Sequence, residues 1–386
     1  MSNILDYIDW RGDLSLNASP FCEVDNLILT QLSFAYLESI ADGMNRRESI
    51  TLREAARRYF ADPDRRSKSM GALVPDEVPE LLRRAAKSPR FGDMRLARFE
   101  SIMDKTVQTQ FAALCILLGD GSFYVSYRGT DDSLIGWKED LNMGFMEQVP
   151  AQEHARRYLE DAAKNLRGTI RIGGHSKGGN LAIYAAAHAS HRVQKRIVCV
   201  YNNDGPGFSR RIMQSDGYSA IRDRILTIVP QFSVVGLLLE HGEVDRVVKS
   251  TGSGLWQHDP FTWQLVGREF LRAEGLSPES RRVEKALRAW VAEMNCEQRR
   301  DLVEALYKAF TVNNAETLSD IAADKFDFIK SLGKLDDKTR DVIFSMGKLL
   351  LREGMRVARE ERLPQKKTGR KAEKGLPSPP DKGVKK

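Results

Sequence analysis

No stretch of about 18 consecutive apolar residues occurs among the 386, so no segment is a candidate for a bilayer-spanning helix. The longest uncharged apolar run near the middle, Phe232 to Leu239, is far too short. Cysteine is scarce. Cys22, Cys115, Cys199 and Cys296 stand far apart with no CxxC pair, which excludes zinc-finger and thioredoxin-like readings. Scattered thiols of this kind fit a reducing cytoplasm, the expected location. The first 14 residues carry Asp6, Asp9, Arg11 and Asp13 and lack the basic start and apolar centre of a secretory signal. There is no internal repeat, no metal-ligand cluster and no dinucleotide fingerprint, so no metal or other cofactor is expected.

An excess of charge is also missing from most of the chain. Residues 355–386 hold eleven Lys and Arg against four Asp and Glu, and the preceding 354 residues hold 49 of each. The whole net charge of +7 therefore sits in the tail, and a body built to bind a specific nucleic acid sequence is disfavoured. With 41% hydrophobic and 29% charged residues, the expected class is soluble and globular.

What is present changes character near residue 108. Residues 1–107 read as a helical or irregular arm packed on the hydrolase core, with apolar residues at helical spacing over Val24 to Gly43, where Asp25 is a candidate cap, and shorter helices over Ile50 to Tyr59 and Leu82 to Lys87. Arg83, Arg84, Arg90, Arg95 and Arg98 read as a solvated face in preference to a basic patch. Residues 108–276 alternate strand and helix. Strands are expected over Gln108 to Leu118, Ser122 to Tyr127, Thr169 to Ile172, Arg196 to Tyr201, Arg224 to Val229 and Asp245 to Lys249, with helices over Ala151 to Leu166 and Gly178 to Ala189. This is the pattern of an α/β fold: a mostly parallel sheet flanked by helices, opened by an antiparallel hairpin. Residues 277–362 are helical throughout, and 363–386, rich in Lys, Gly, Pro and Ser, read as a disordered basic tail.

Inside the core segment lies Thr169-Ile-Arg-Ile-Gly-Gly-His-Ser-Lys-Gly-Gly-Asn180, which contains GxSxG from Gly174 to Gly178. A serine on a sharp strand-to-helix turn projects its hydroxyl into a cleft, and the glycines let strand and helix approach closely. The helix N-terminus behind it favours developing negative charge. Ser176 is the candidate nucleophile, and the N–H of Lys177 one candidate oxyanion donor. The loop after Ser122 to Tyr127, at Arg128-Gly129-Thr130, is placed to supply the second from Thr130. Trp137 and Asp140 follow on one face of a short helix.

Tyr127-Arg-Gly-Thr130, Trp137-Lys-Glu-Asp-Leu141 and Gly-His-Ser-Lys-Gly-Gly-Asn together resemble the class 3 (fungal-type) lipases. They resemble more closely a bacterial family of lipase-like α/β hydrolases with no settled substrate. That closer resemblance starts at Asn3-Ile-Leu-Asp-Tyr-Ile-Asp-Trp-Arg-Gly12, continues through Phe21-Cys-Glu-Val-Asp-Asn-Leu-Ile28 and runs to about Trp263, some two thirds of the chain. It implies Ser176 as nucleophile and Thr130 at the oxyanion hole.

A serine nucleophile needs a base and a group that orients it. His154 precedes the elbow, His175 lies inside it with its side chain expected to point away, and His188 and His191 sit at the far end of the following helix. His241 comes before the strand at 245–249, the wrong sheet edge, whereas His258 follows it, at the edge where ligands bind. Asp204, directly after the strand that follows the elbow, is the candidate acid. The class 3 lipases place the acid one strand later, where this chain has Val229-Pro-Gln-Phe-Ser-Val-Val-Gly236 and no carboxylate. Glu240, Asp245 and Asp259 are fallbacks, and a dyad without an acid is a further option.

The expected activity is that of a serine esterase or lipase-like hydrolase cleaving a carboxylic ester, a lipid ester among the options. Segments Phe208 to Ile221 and Phe232 to Leu239 would shape the acyl pocket. The competing expectation is a hydrolase-shaped binding or regulatory protein with weak or no activity, motivated by the missing acid and the C-terminal helices. Expected partners are the small-molecule ester and, through the basic tail, an anionic membrane surface held weakly.

Overall fold

A computed structural model describes residues 2–362 except 38, 39, 41–48, 68, 69, 72, 73, 238, 241, 243, 312–314, 324–332 and 334; His241 and the expected tail lie outside the described residues. Eight strands form the main sheet in sequence order: β1 (Ile50–Thr51), β2 (Arg95–Asp104), β3 (Thr109–Leu117), β4 (Phe123–Tyr127), β5 (Ile170–His175), β6 (Ile197–Asn203), β7 (Ile225–Pro230) and β8 (Arg246–Val248). The first three pairings are antiparallel and the last four parallel. All six strands expected from the pattern are present within a few residues. Two more, β1 and β2, come from the segment read as an arm. β2 carries Arg95, Arg98, Glu100 and Asp104 and a bulge between Ala97 and Glu100, so it lacks the apolar signature of a core strand and is defined by its pairing with β3.

Helices cover both faces, as parallel strands require. On one face lie α1 (Ile4–Arg11), α2 (Glu23–Leu32), α3 (Leu52–Ala61) and α4 (Val78–Lys87). On the other lie α6 (Pro150–Asn165) and α7 (Lys177–His188), with α5 (Leu134–Asn142) between β4 and α6. The N-terminal segment packs on the sheet, its buried residues sharing one core with Leu114, Ile116 and Tyr124. Asp25 sits in the first turn of α2, where it accepts from Cys22 N–H and forms a fully buried ion pair with Arg90. Arg90 also donates to the carbonyls of Leu14 and Ser19, which pins the segment between α1 and α2. α2 ends at Leu32, and of the stretch expected to run to Gly43, residues 38, 39 and 41–43 lie outside the described residues. Ser33 turns its hydroxyl back to Thr30 O, and the chain leaves the helix while Phe34 and Ala35 continue the buried face.

The five arginines expected to share a solvated face do not share one. Arg90 and Arg98 are buried, Arg98 pairing with Asp161, while Arg83 and Arg84 pair with Glu80 and Arg95 with Ser49. Beyond the sheet, α8 (Pro278–Ala292), α9 (Cys296–Thr311) and α10 (Asp337–Arg362) pack on one another, and α9 on α5. Among the described residues no helix is long and apolar enough to cross a membrane.

Candidate active site

β5 passes directly into α7 at Ser176, whose backbone is held at φ 57, ψ −131. A non-glycine residue stays in that region only when its surroundings force it, at a cost on the order of 1–3 kcal/mol. Here they do. A Cβ on Gly174 would lie 2.1 Å from the carbonyl carbon of Gly178, and one on Gly178 would lie 2.2 Å from Tyr127 O. Strand, helix and neighbouring strand touch backbone to backbone, and only hydrogen at both glycines permits it. Below the turn, Asn203 donates to Gly174 O and accepts from Asn26 of α2, all fully buried or nearly so.

Asp204 follows β6 at the same sheet edge and is fully buried. Its Oδ2 lies 2.6 Å from Nδ1 of His258, which follows β8 in a short 3-10 turn at Gly254–His258. Its Oδ1 accepts from the Ser233 hydroxyl at 2.5 Å. Ser233 belongs to the stretch Val229 to Gly236 that lacks a carboxylate. That stretch serves Asp204 with a hydroxyl, and Gly236 makes room, since a Cβ there would lie 2.3 Å from Asp204 Oδ1. Asn180 at the close of the elbow motif donates to the carbonyls of Pro206 and Gly207 and so fixes the loop that leaves Asp204.

His258 is half-buried, and with Nδ1 held by Asp204 its Nε2 is the nitrogen left for chemistry. Among the described residues no hydrogen bond joins Ser176 Oγ to it; such contacts are often long in ligand-free sites and tighten on substrate binding. His175 packs against His258. Its Nε2 donates to His258 O at 2.9 Å, the carbonyl being able only to accept, and the two rings lie 4.5 Å apart. Burial, and secondly His258, push the His175 imidazole well below its usual range, so it is neutral.

At the opposite bank Thr130 is buried and donates its hydroxyl to Asp140. Burial pushes the Asp140 carboxyl up to about 6, against the opposing pull of Lys177 and Thr130. Gly129 lets this loop lie against the elbow, a Cβ there falling 2.5 Å from His175 O. Among the described residues the N–H groups of Thr130 and Lys177 have no backbone acceptor. The Lys177 side chain runs inward, to Glu139 at 2.5 Å and Gln110 O at 2.8 Å. Glu139 also accepts from Thr109 Oγ1 and from the N–H groups of Gln110 and Ala151, joining β3, α5, α6 and α7 behind the turn. Trp137 and Asp140 both lie on α5: Trp137 packs edge-on against Phe310 of α9, and Asp140 accepts from Thr130.

The fallback acids lie elsewhere. Glu240 pairs with Arg210, Asp245 accepts from Thr227 N–H at the start of β8, and Asp259 caps the turn at Pro260–Thr262. Burial pushes the Asp259 carboxyl up to about 6. His154 stacks on Phe111, and His188 contacts Tyr184 O. Residues the sequence did not single out are Ser233, Glu139 and Ser280. Ser280 in the first turn of α8 donates to Ser233 O at 2.8 Å. The hydroxyl of Ser233, in a loop without a carboxylate, is the one sequence signal for it. Among the described residues no group of three or more His, Cys, Asp or Glu is placed to hold a metal ion.

The profile of the Mbeg1-like family matches residues 85–308. Among solved structures the chain is similar to M37 lipase, with a TM-score of 0.34 and 13% identity over 55% of this chain and 68% of that one. No curated protein matches.

Proposed function

This chain belongs to the Mbeg1-like family, and we propose that it is a serine hydrolase that cleaves a carboxylic ester through an acyl-enzyme on Ser176. The observation that carries this reading is the 2.6 Å contact between Asp204 and His258, at the same sheet edge as a serine held on a strained elbow. In the reaction Ser176 Oγ attacks the acyl carbon while His258 Nε2 takes its proton. Asp204 holds the imidazole in the tautomer with Nδ1–H and stabilises the imidazolium. The N–H groups of Lys177 and Thr130 receive the negative charge that develops on the carbonyl oxygen. His258 then returns its proton to the leaving alkoxide, which departs as the alcohol. Water, deprotonated by His258, attacks the acyl-enzyme; the acid leaves and the proton returns to Ser176 Oγ.

The competing reading, a hydrolase-shaped protein without activity, drew on the missing acid after Val229. The position of Asp204 on His258 weakens that motive. A lipid ester is the substrate class we favour, and the four free thiols support a cytoplasmic location. Hydrolysis of p-nitrophenyl esters of graded acyl length tests the reading. The expected result is turnover by the wild type that falls by roughly 10³-fold or more in Ser176→Ala. Turnover equal in the two would overturn it.

A further inference from the structure

Helix α10 is the longest of the described helices, at 26 residues. One side of it packs on α8 and α9, where Trp290 Nε1 donates to Met346 O. The other side exposes Phe344, Leu351 and Met355 at 70%, 69% and 68%. These positions are seven and eleven residues apart, so at 3.6 residues per turn they stand within about 20° of one line along the axis. Exposed Lys348 lies between them. Single exposed apolar side chains are ordinary on a protein surface; three in register on one helix form a stripe.

Three side chains are far too few to supply the roughly 800 Å² per partner of a stable protein interface, which argues against a second copy as the occupant. Charge indicates what does fit. From Met355 onward the chain carries eleven Lys and Arg against four Asp and Glu, while the remainder is balanced at 49 of each. An apolar stripe that runs into a basic segment matches a surface that is apolar inside and negatively charged at its rim. We propose that α10 docks this protein on an anionic lipid surface, with Phe344, Leu351 and Met355 set among the acyl chains and the basic residues that follow them held by the headgroups. The inference goes beyond the catalytic reading and stands without it.

The test is flotation of the full chain with vesicles of phosphatidylcholine alone and of phosphatidylcholine with roughly 30% phosphatidylglycerol, the anionic arm. The expected result is binding to the anionic vesicles, about tenfold weaker in the triple variant Phe344→Ser, Leu351→Ser, Met355→Ser. Binding should also fall in about 1 M salt, where charges are screened within ~3 Å. Equal binding by variant and wild type, or no binding to anionic vesicles, overturns the proposal. So does a wild-type dimer in solution that the triple variant disperses. Should the triple variant misfold, hydrogen exchange of the wild type decides. Added protection of residues 337–355 on anionic vesicles is expected, and its absence is contrary.

Discussion

Ser233 donates its hydroxyl to Asp204 Oδ1, the carboxylate oxygen that His258 does not use, and Ser233 is itself held through its carbonyl by Ser280 of α8. The Asp204 carboxylate is thus fixed from two sides, and one support reaches it from the C-terminal helices. The C-terminal region also meets the loop that follows Thr130, where Leu318 N–H donates to Asp132 O and Leu134 N–H to Glu316 O. The C-terminal segment therefore touches both the loop at Ser233 and the loop after Thr130.

Ser233→Ala leaves a buried carboxylate oxygen without its donor. We expect kcat to fall about tenfold with KM nearly unchanged, since the orientation of His258 suffers and substrate contacts do not. Ser233→Thr, which keeps the hydroxyl, should restore most of the rate. Equal kcat in wild type and alanine variant would show that Ser233 is only packing.

At the elbow, Gly174→Ala forces a methyl group against the Gly178 carbonyl carbon, 2.1 Å from the ideal Cβ position. Backbone on both sides cannot give way cheaply, so the expected loss is on the order of 2–4 kcal/mol, read as a lowered midpoint in urea. By contrast Gly275→Ala, where a Cβ meets nothing within 4 Å, should change the midpoint little.

Breaking the buried pair between Asp25 and Arg90 should cost about 3–5 kcal/mol, because the surviving charge stays buried without its partner. Arg90→Met is the direct test. Denaturant unfolding should show the loss, and proteolysis should cut first between α1 and α2, where the Leu14 and Ser19 carbonyls have lost their donor. Unchanged stability would mean that the pair is replaceable by apolar packing.

His175 gives the protein a pH dependence with a definite sign. Its folded-state pKa is depressed by burial far below the ordinary 6.5, so the ring is neutral when folded and protonates on unfolding. Its contribution to stability is full above pH 6.5 and is lost as pH falls below that value toward the folded pKa. His175→Gln keeps a donor for His258 O but does not titrate. Its urea midpoint should therefore gain on the wild type between pH 7.5 and pH 5, and parallel curves would contradict the assignment.

Much of this architecture could be read from local pattern. The alternation of apolar strands with helices and the GxSxG between β5 and α7 are short-range features, and Asp204 and His258 were reachable from chain order and sheet edge. What escaped depends on contacts distant in sequence. β2 is too charged to look like a strand and exists through its pairing with β3. α2 stops at Leu32, where Ser33 turns back on Thr30 and Phe34 and Ala35 stay buried, which apolar spacing alone cannot register. Ser233 and Glu139 matter through the groups they meet, Asp204 in one case and the buried Lys177 in the other. Neither partner is near in sequence.

The central claim is that Ser176 is a nucleophile activated by His258. The most direct measurement is labelling of the purified chain with a fluorophosphonate probe, with the modified residue located by mass spectrometry. One adduct on Ser176 is expected, none in Ser176→Ala, and labelling slowed by roughly 10²-fold or more in His258→Ala. A folded wild type that stays unlabelled, or an adduct carried on any other residue, would contradict it.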